Sequence, residues 1–217
     1  MNSYKCIIFD CDGVLVDSEE LAIRTLIETA KKQGAEINLE YALENFKGTF
    51  LGECIRRIEK ISGKNLPVDF ENHFRQRSFE VFKNELKPVK GIKNVLESLQ
   101  IPFCTASSGP QDKIKFNLTN TGLIHFFENR IFSCYDIGKW KPDPAIFLHA
   151  AEAMGYKPED CLVIEDSLVG VKAARYGGFD VFGYVSHTEE AGFDEQCTAL
   201  FYDMDELMPL LHLNSRK

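Results

Sequence analysis

The chain has 217 residues, 44% of them apolar and 27% charged, and a formal net charge of −8. That balance argues against nucleic acid as a main partner, since such binding draws on clustered Lys and Arg, but a small anionic ligand needs only a local positive site. No apolar run reaches membrane-spanning length, and the opening MNSYKCIIFD has neither a long apolar stretch nor a cleavage pattern, so neither a membrane partner nor a secretory signal is expected.

YKCIIF, nearly all apolar, predicts a short buried strand. From Ser18 to about Phe82 the spacing is helical. EELAIRTLIETAKKQG ends on Gly34, YALENFKG follows, LGECIRRIEKISG ends on Gly63, and PVDFENHFRQRSFEVFKNEL carries a phenylalanine stripe. KPVKG breaks the pattern. Strands and helices then alternate. IKNVLESLQ predicts a helix, IPFCTASS a strand, QDKIKFNLTNTG a helix and RIFSCYD a strand. DPAIFLHAAEAMG is a helix opened by Pro144, CLVIEDS a strand ending in acid, and LVGVKAARYGG a helix. DVFGYV and ALFYD read as strands and MDELMPLLHL as a closing helix.

This order predicts an α/β fold, a doubly wound, mostly parallel sheet with a small all-α domain inserted after the first strand. The expected bounds are 1–16 with 87–217 for the sheet domain and 17–86 for the helical one. Seven cysteines, an odd number without a CxxC pair, read as reduced thiols of a cytoplasmic protein, mostly buried. Five scattered histidines have no metal-ligand spacing. Asp17 and Ser18 suit the start of the first inserted helix, with Glu19 and Glu20 as helix-end charges.

In open parallel sheets, ligands bind beyond the carboxyl ends of the strands. Three strand ends here carry DCDG, TASSG and EDS, and GKWKPDP leads into the helix after the third strand. Together they present carboxylates, hydroxyls and an ammonium group. Crowded carboxylates need a compensating cation, and Mg²⁺ takes few protein carboxylates together with water and phosphate. Lys141 can hold a phosphate or a nucleophilic carboxylate. Ser107 and Ser108 can donate to phosphoryl oxygens, and Gly13 lets backbone amides approach an anion. Aspartate is a competent covalent nucleophile, so the set points to phosphoryl transfer onto Asp, assisted by Mg²⁺.

DCDGVLVDS, with Asp10 and Asp12, resembles the first motif of the haloacid dehalogenase superfamily. CTASS resembles its second motif at Ser107, KPDP its third at Lys141, and VIEDS its fourth at Glu165 and Asp166. All four occur in order over nearly the whole chain. The resemblance implies that Asp10 attacks phosphorus and that Asp12 protonates the leaving oxygen and then activates water. It implies that Mg²⁺ is held by Asp10, the Asp12 carbonyl and Asp166, with Glu165 direct or through water. Ser107 and Lys141 would bind the transferring phosphoryl group. Carbon–halogen-cleaving members lack the second aspartate, so Asp12 points to phosphate esters.

The inserted helices resemble the cap of the subgroup that holds sugar-phosphate phosphatases and β-phosphoglucomutase, which implies a monomer acting on a small phosphorylated substrate. FKGT resembles the cap's specificity loop and makes Lys47 and Gly48 candidate substrate contacts. The mutase histidine position is Ala22 here and its distal-phosphate arginine position is Leu51, which disfavours a phosphomutase. Lys31, Lys32 and Lys47 do not single out a Schiff-base lysine for phosphonate hydrolysis. YDIGKWKPDPAIFLHAAEAMG and FKGTFLGE most resemble bacterial phosphatases for sugar or sugar-acid phosphates, 6-phosphogluconate among them.

Overall fold

The computed structural model describes residues 4–46, 49–185 and 192–214. The chain forms two compact units. It leaves the first at Val16 and re-enters it at Pro88, and residues 17–87 form the second.

The first unit begins with β1 (Cys6–Phe9), whose four residues are all buried. The second unit holds α1 (Glu19–Lys32), α2 (Leu39–Phe46), α3 (Leu51–Ser62) and α4 (Phe70–Glu85). Ile23, Leu26, Ala42, Phe46, Cys54, Ile58 and Phe70 form part of its core, so part of the phenylalanine stripe is packing surface. Ser18 stands at the N-cap of α1 without a side-chain capping bond, and Glu19 and Glu20 lie in the first turn. α2 starts two residues earlier than its apolar pattern suggests. The Asn38 side chain accepts the Glu40 N–H (2.8 Å), which fixes the turn there. α4 starts three residues later than expected, after Pro67 and the Asp69 N-cap.

The remaining chain contributes α5 (Ile92–Ser98), β2 (Phe103–Ser107), α6 (Gln111–Asn120), β3 (Ile131–Ser133), α7 (Cys134–Ile137) and α8 (Ala145–Met154). These are followed by β4 (Cys161–Glu165), α9 (Leu168–Tyr176), β5 (Asp180–Tyr184), β6 (Ala199–Phe201) and α10 (Leu207–Asn214). The six strands make one sheet in the order β3-β2-β1-β4-β5-β6, and every pairing is parallel. This is the doubly wound α/β architecture expected from the alternation. The central strands β1, β2 and β4 are buried at every residue and apolar except at Thr105, Ser107 and Glu165, as expected where helices cover both faces of such a sheet. Each fully buried Ile or Phe contributes about 1.5–3 kcal/mol of burial.

Two segments differ from expectation. RIFSCYD is a strand only to Ser133. The Ser133 hydroxyl accepts the Tyr135 N–H (3.1 Å) and donates to the Gly109 carbonyl (2.6 Å), starting α7. Gly138, at φ 67°, ends that helix. At the other end, the Asp203 carboxylate accepts the Asp205 N–H (3.0 Å), and a 3₁₀ turn at Met204–Glu206 precedes α10. None of the seven cysteines, all among the described residues, is in a disulfide, and six are buried. Among the described residues, no helix is long and apolar enough to cross a membrane.

Candidate functional site

β1 is the centre of the sheet. The chain builds outward from it through β2 and β3 on one side, then crosses to β4, β5 and β6 on the other. The reversal puts a crevice at the carboxyl ends of the central strands, where such sheets bind ligands. Phe9 is in register with Thr105 of β2 and Ile164 of β4. Asp10, Ser107 and the pair Glu165–Asp166 therefore come to one rim. The Asp10 N–H donates to the Ile164 carbonyl (2.9 Å), extending the ladder one residue beyond the strand.

The side chains of Asp10, Lys141 and Glu165 form a buried cluster. Lys141 Nζ lies 2.5 Å from Asp10 Oδ1 and 2.6 Å from Glu165 Oε1, with 4% of its side chain exposed. It also sits 4.7 Å from the centre of the Phe147 ring on α8. Burial works against the ammonium charge, but Asp10 and Glu165 outweigh it and hold Lys141 above its ordinary value. Burial pushes the Asp10 carboxyl up; Lys141 pulls it down, and Glu165 and Asp166 push it further up. The other Glu165 oxygen, Oε2, accepts from the Asp166 and Ser167 N–H groups (2.8 Å each) and from the Ser167 hydroxyl (3.0 Å). Ser167 in turn caps α9 by accepting the Gly170 N–H (3.2 Å).

The space for Glu165 depends on Gly170. A Cβ there would fall 1.8 Å from Glu165 Oε1 and 2.0 Å from its Cδ. Gly170→Ala is therefore expected to displace the carboxylate from Lys141. It should lower stability by about 1–3 kcal/mol, the usual cost of overpacking, and reduce turnover about tenfold or more. Thermal melting and phosphate-ester assays of the same preparation check both effects.

Asp166 faces the loop after β1. A Cβ on Gly13 (φ 86°) would lie 2.3 Å from Asp166 Oδ2, so only glycine lets the two approach. The buried carboxylates of Asp10 and Asp166, on two neighbouring strand ends, are hard oxygen donors of the kind Mg²⁺ takes. A divalent cation would also offset the burial that raises the Asp10 carboxyl. In composition and in the Gly13 cradle, the residues fit such an ion. Among the described residues, no three His, Cys, Asp or Glu side chains are gathered in a metal-holding arrangement. Lys141 spans Asp10 and Glu165, and the second Glu165 oxygen is held by backbone amides.

Asp12, 23% exposed at its side chain, lies on the other flank of the site. Lys113 Nζ donates to its Oδ2 (2.7 Å) and Asn117 Nδ2 to its Oδ1 (3.3 Å), both from α6. Burial opposes the Lys113 charge, but the Asp12 carboxylate outweighs it and raises Lys113. The buried Ser107 hydroxyl accepts the Gly109 N–H (3.0 Å), and Ser108 is half-buried beside Cys134. Asp143 accepts the Ala145 N–H (2.9 Å), bracing the start of α8. Trp140 packs edge-on to Tyr135 at 5.3 Å.

Asp10, Lys141 and Glu165 are thus in direct contact, Asp166 faces Gly13, and Asp12 and Ser107 flank Gly109. Lys47 and Gly48 lie outside the described residues. Lys113 and Asn117 escape the sequence reading. Their one signal is the i, i+4 spacing on the helix that follows the Ser107 strand.

The fold and rim define a hydrolase class. A protein-family model described as haloacid dehalogenase-like hydrolase matches residues 4–178, and the chain belongs to that family. The 6-phosphogluconate phosphatase of Escherichia coli (strain K12) is 33% identical over 183 residues, covering 84% of this chain and 83% of that protein. The phosphorylated carbohydrates phosphatase of Thermotoga maritima is 29% identical over 190 residues, covering 83% of this chain and 85% of that protein. The crystal structure of a conserved haloacid dehalogenase-like protein of unknown function from Agrobacterium tumefaciens matches with a TM-score of 0.85. It is 28% identical, and the match covers 98% of this chain and 99% of that one. The family and the phosphatase-named relatives support a phosphoric monoester hydrolase.

Proposed function

We propose that this chain hydrolyses small phosphorylated sugars or sugar acids, with 6-phosphogluconate a leading candidate, through an aspartyl-phosphate on Asp10. The observation that carries the reading is the buried Asp10–Lys141–Glu165 cluster at the switch point of the sheet. Two carboxylates sharing one buried ammonium at a strand-end crevice are the kind of perturbed titratable cluster that marks functional sites.

In the first half-reaction, an Asp10 oxygen forms a bond to phosphorus as the bond to the ester oxygen breaks, and Asp12 gives its proton to that oxygen. In the second, the Asp12 carboxylate takes a proton from water as the water oxygen bonds to phosphorus, and Asp10 is released. Lys141 neutralises charge on Asp10 and on the transferring group, and Ser107 steadies a phosphoryl oxygen. Ser108 and the Gly13 backbone complete the phosphate seat. Mg²⁺ would be held by the Asp10 carboxylate, the Asp12 carbonyl and Asp166, and when bound it supplies positive charge against the phosphoryl oxygens. Glu165, with one oxygen on Lys141 and the other on backbone amides, anchors the lysine and would contribute to holding such an ion through water.

The helical unit, with Lys47 and Gly48, selects the leaving group in this reading, and the enzyme works as a monomer. Free thiols suit the reducing cytoplasm.

The test is phosphate release from 6-phosphogluconate, hexose phosphates, phosphoglycolate, nucleotides and β-glucose 1-phosphate. Mg²⁺-dependent release concentrated on one sugar or sugar-acid phosphate is expected, with EDTA abolishing it. Isomerisation of β-glucose 1-phosphate in the presence of a bisphosphate primer, with no release from any ester, would overturn the phosphatase reading.

A further inference from the structure

Lys113 and Asn117 lie four residues apart on one face of α6, and each donates to a different oxygen of Asp12, at 2.7 Å and 3.3 Å. Holding both oxygens fixes the plane of the carboxyl group, which one ion pair alone does not do. Asn117 is fully buried, so its amide reaches Asp12 from inside the fold and not as a mobile surface group. The lysine stem runs past Gly109, where an added Cβ would lie 3.4 Å from Lys113 Cδ, 3.5 Å from Ser107 Oγ and 3.8 Å from Asp12 Oδ2. The seat of Asp12 and the end of the Ser107 strand therefore share one tight space. A solvated surface pair, worth at most about 1 kcal/mol, needs no buried amide on the second oxygen.

We propose that Lys113 and Asn117 are positioning residues that set the Asp12 carboxyl group for proton transfer, an inference resting on the acid–base role given to Asp12 above. Neither touches the reacting phosphorus. Lys113 supplies a positive charge opposite the carboxylate that is left when Asp12 has given its proton to the leaving oxygen. Asn117 keeps the group from turning about its last bond between the two half-reactions. Misplacing a proton donor by a fraction of an ångström costs rate only where the proton is needed.

The experiment compares Lys113→Met with the unaltered enzyme on two substrates, both with Mg²⁺ supplied. An alkyl phosphate has a poor leaving group that needs the proton from Asp12. p-Nitrophenyl phosphate has a good leaving group that does not. General acid catalysis is worth about 10²–10⁴-fold, so kcat/KM for the alkyl ester is expected to fall about 30-fold, and for the aryl ester by less than about threefold. Lys113→Arg, which keeps charge and donors, should recover the alkyl ester to within about fivefold, and both variants should melt close to the unaltered enzyme. Equal losses on the two esters, or no loss on either, would overturn the positioning role while leaving the phosphatase reading intact. Failure of the unaltered enzyme to hydrolyse either ester would instead overturn that reading, and this inference with it.

Discussion

Asp10→Asn is expected to lower phosphate release by about 10⁴-fold or more while leaving the fold in place. A carboxamide has no anionic oxygen to attack phosphorus, and removing a nucleophile from a set that acts as a unit costs nearly the whole covalent contribution. Stability should change little. Asn has almost the same volume, Lys141 keeps its 2.6 Å partner Glu165, and the strand-end ladder uses the Asp10 backbone, which the change does not touch. Burial already disfavours charge on Asp10, so the neutral amide removes a cost as well as an ion pair. A melting temperature within about 5 °C of the unaltered enzyme corresponds to roughly 1–2 kcal/mol for a chain of this size. Acid-quenched enzyme should carry no trapped phosphate on this variant. Hydrolysis above about a hundredth of the normal rate would remove Asp10 from the nucleophile role.

The central features were legible because they depend on local pattern. A short all-apolar strand followed by charge places Asp10, Ser107 and Glu165–Asp166 at strand ends, and the parallel sheet that the alternation demands brings those ends to one rim. What remained hidden depends on tertiary placement. Whether Glu165 meets a metal or a lysine is decided by where the Lys141 loop lies relative to β4, which spacing along the chain does not encode. Lys113 and Asn117 sit within a helix whose sequence, QDKIKFNLTN, would accept them equally well on a solvated face. Only the rotation of α6 against β1 turns them to Asp12. The shortening of β3 is similarly non-local in part. Ser133 starts α7 while its hydroxyl holds the Gly109 carbonyl 24 residues away in the chain.

Lys141→Met carries the second large effect, and it separates catalysis from stability through pH. In the proposed mechanism, loss of the ammonium would remove charge stabilisation from the transferring phosphoryl group, and kcat/KM should fall about 10²–10³-fold. The structural consequence follows from the buried carboxylates it leaves behind. In the unaltered protein Lys141 pulls the Asp10 carboxyl down against burial and against the charges of Glu165 and Asp166. Without it, the folded-state pKa of Asp10 moves further above the unfolded value. The folded state then binds more protons than the unfolded state between those two values, so stability is greatest below the unfolded pKa and falls as pH rises through the folded one. Each excess proton is worth about 1.4 kcal/mol per pH unit. Metal-free Lys141→Met should thus lose about 3 kcal/mol relative to the unaltered protein at pH 8, the scale of breaking a buried pair, and clearly less at pH 5. The unaltered protein shares this trend through Asp10, but to a smaller extent because Lys141 holds the carboxyl down. Its Lys141 contribution is fully present below the lysine's unfolded value and is lost only at strongly alkaline pH, because the folded value is raised. Urea titrations in EDTA at pH 5, 6.5 and 8 measure the difference. A variant whose deficit is the same at all three pH values would mean that the Asp10 carboxyl does not depend on Lys141 for its charge.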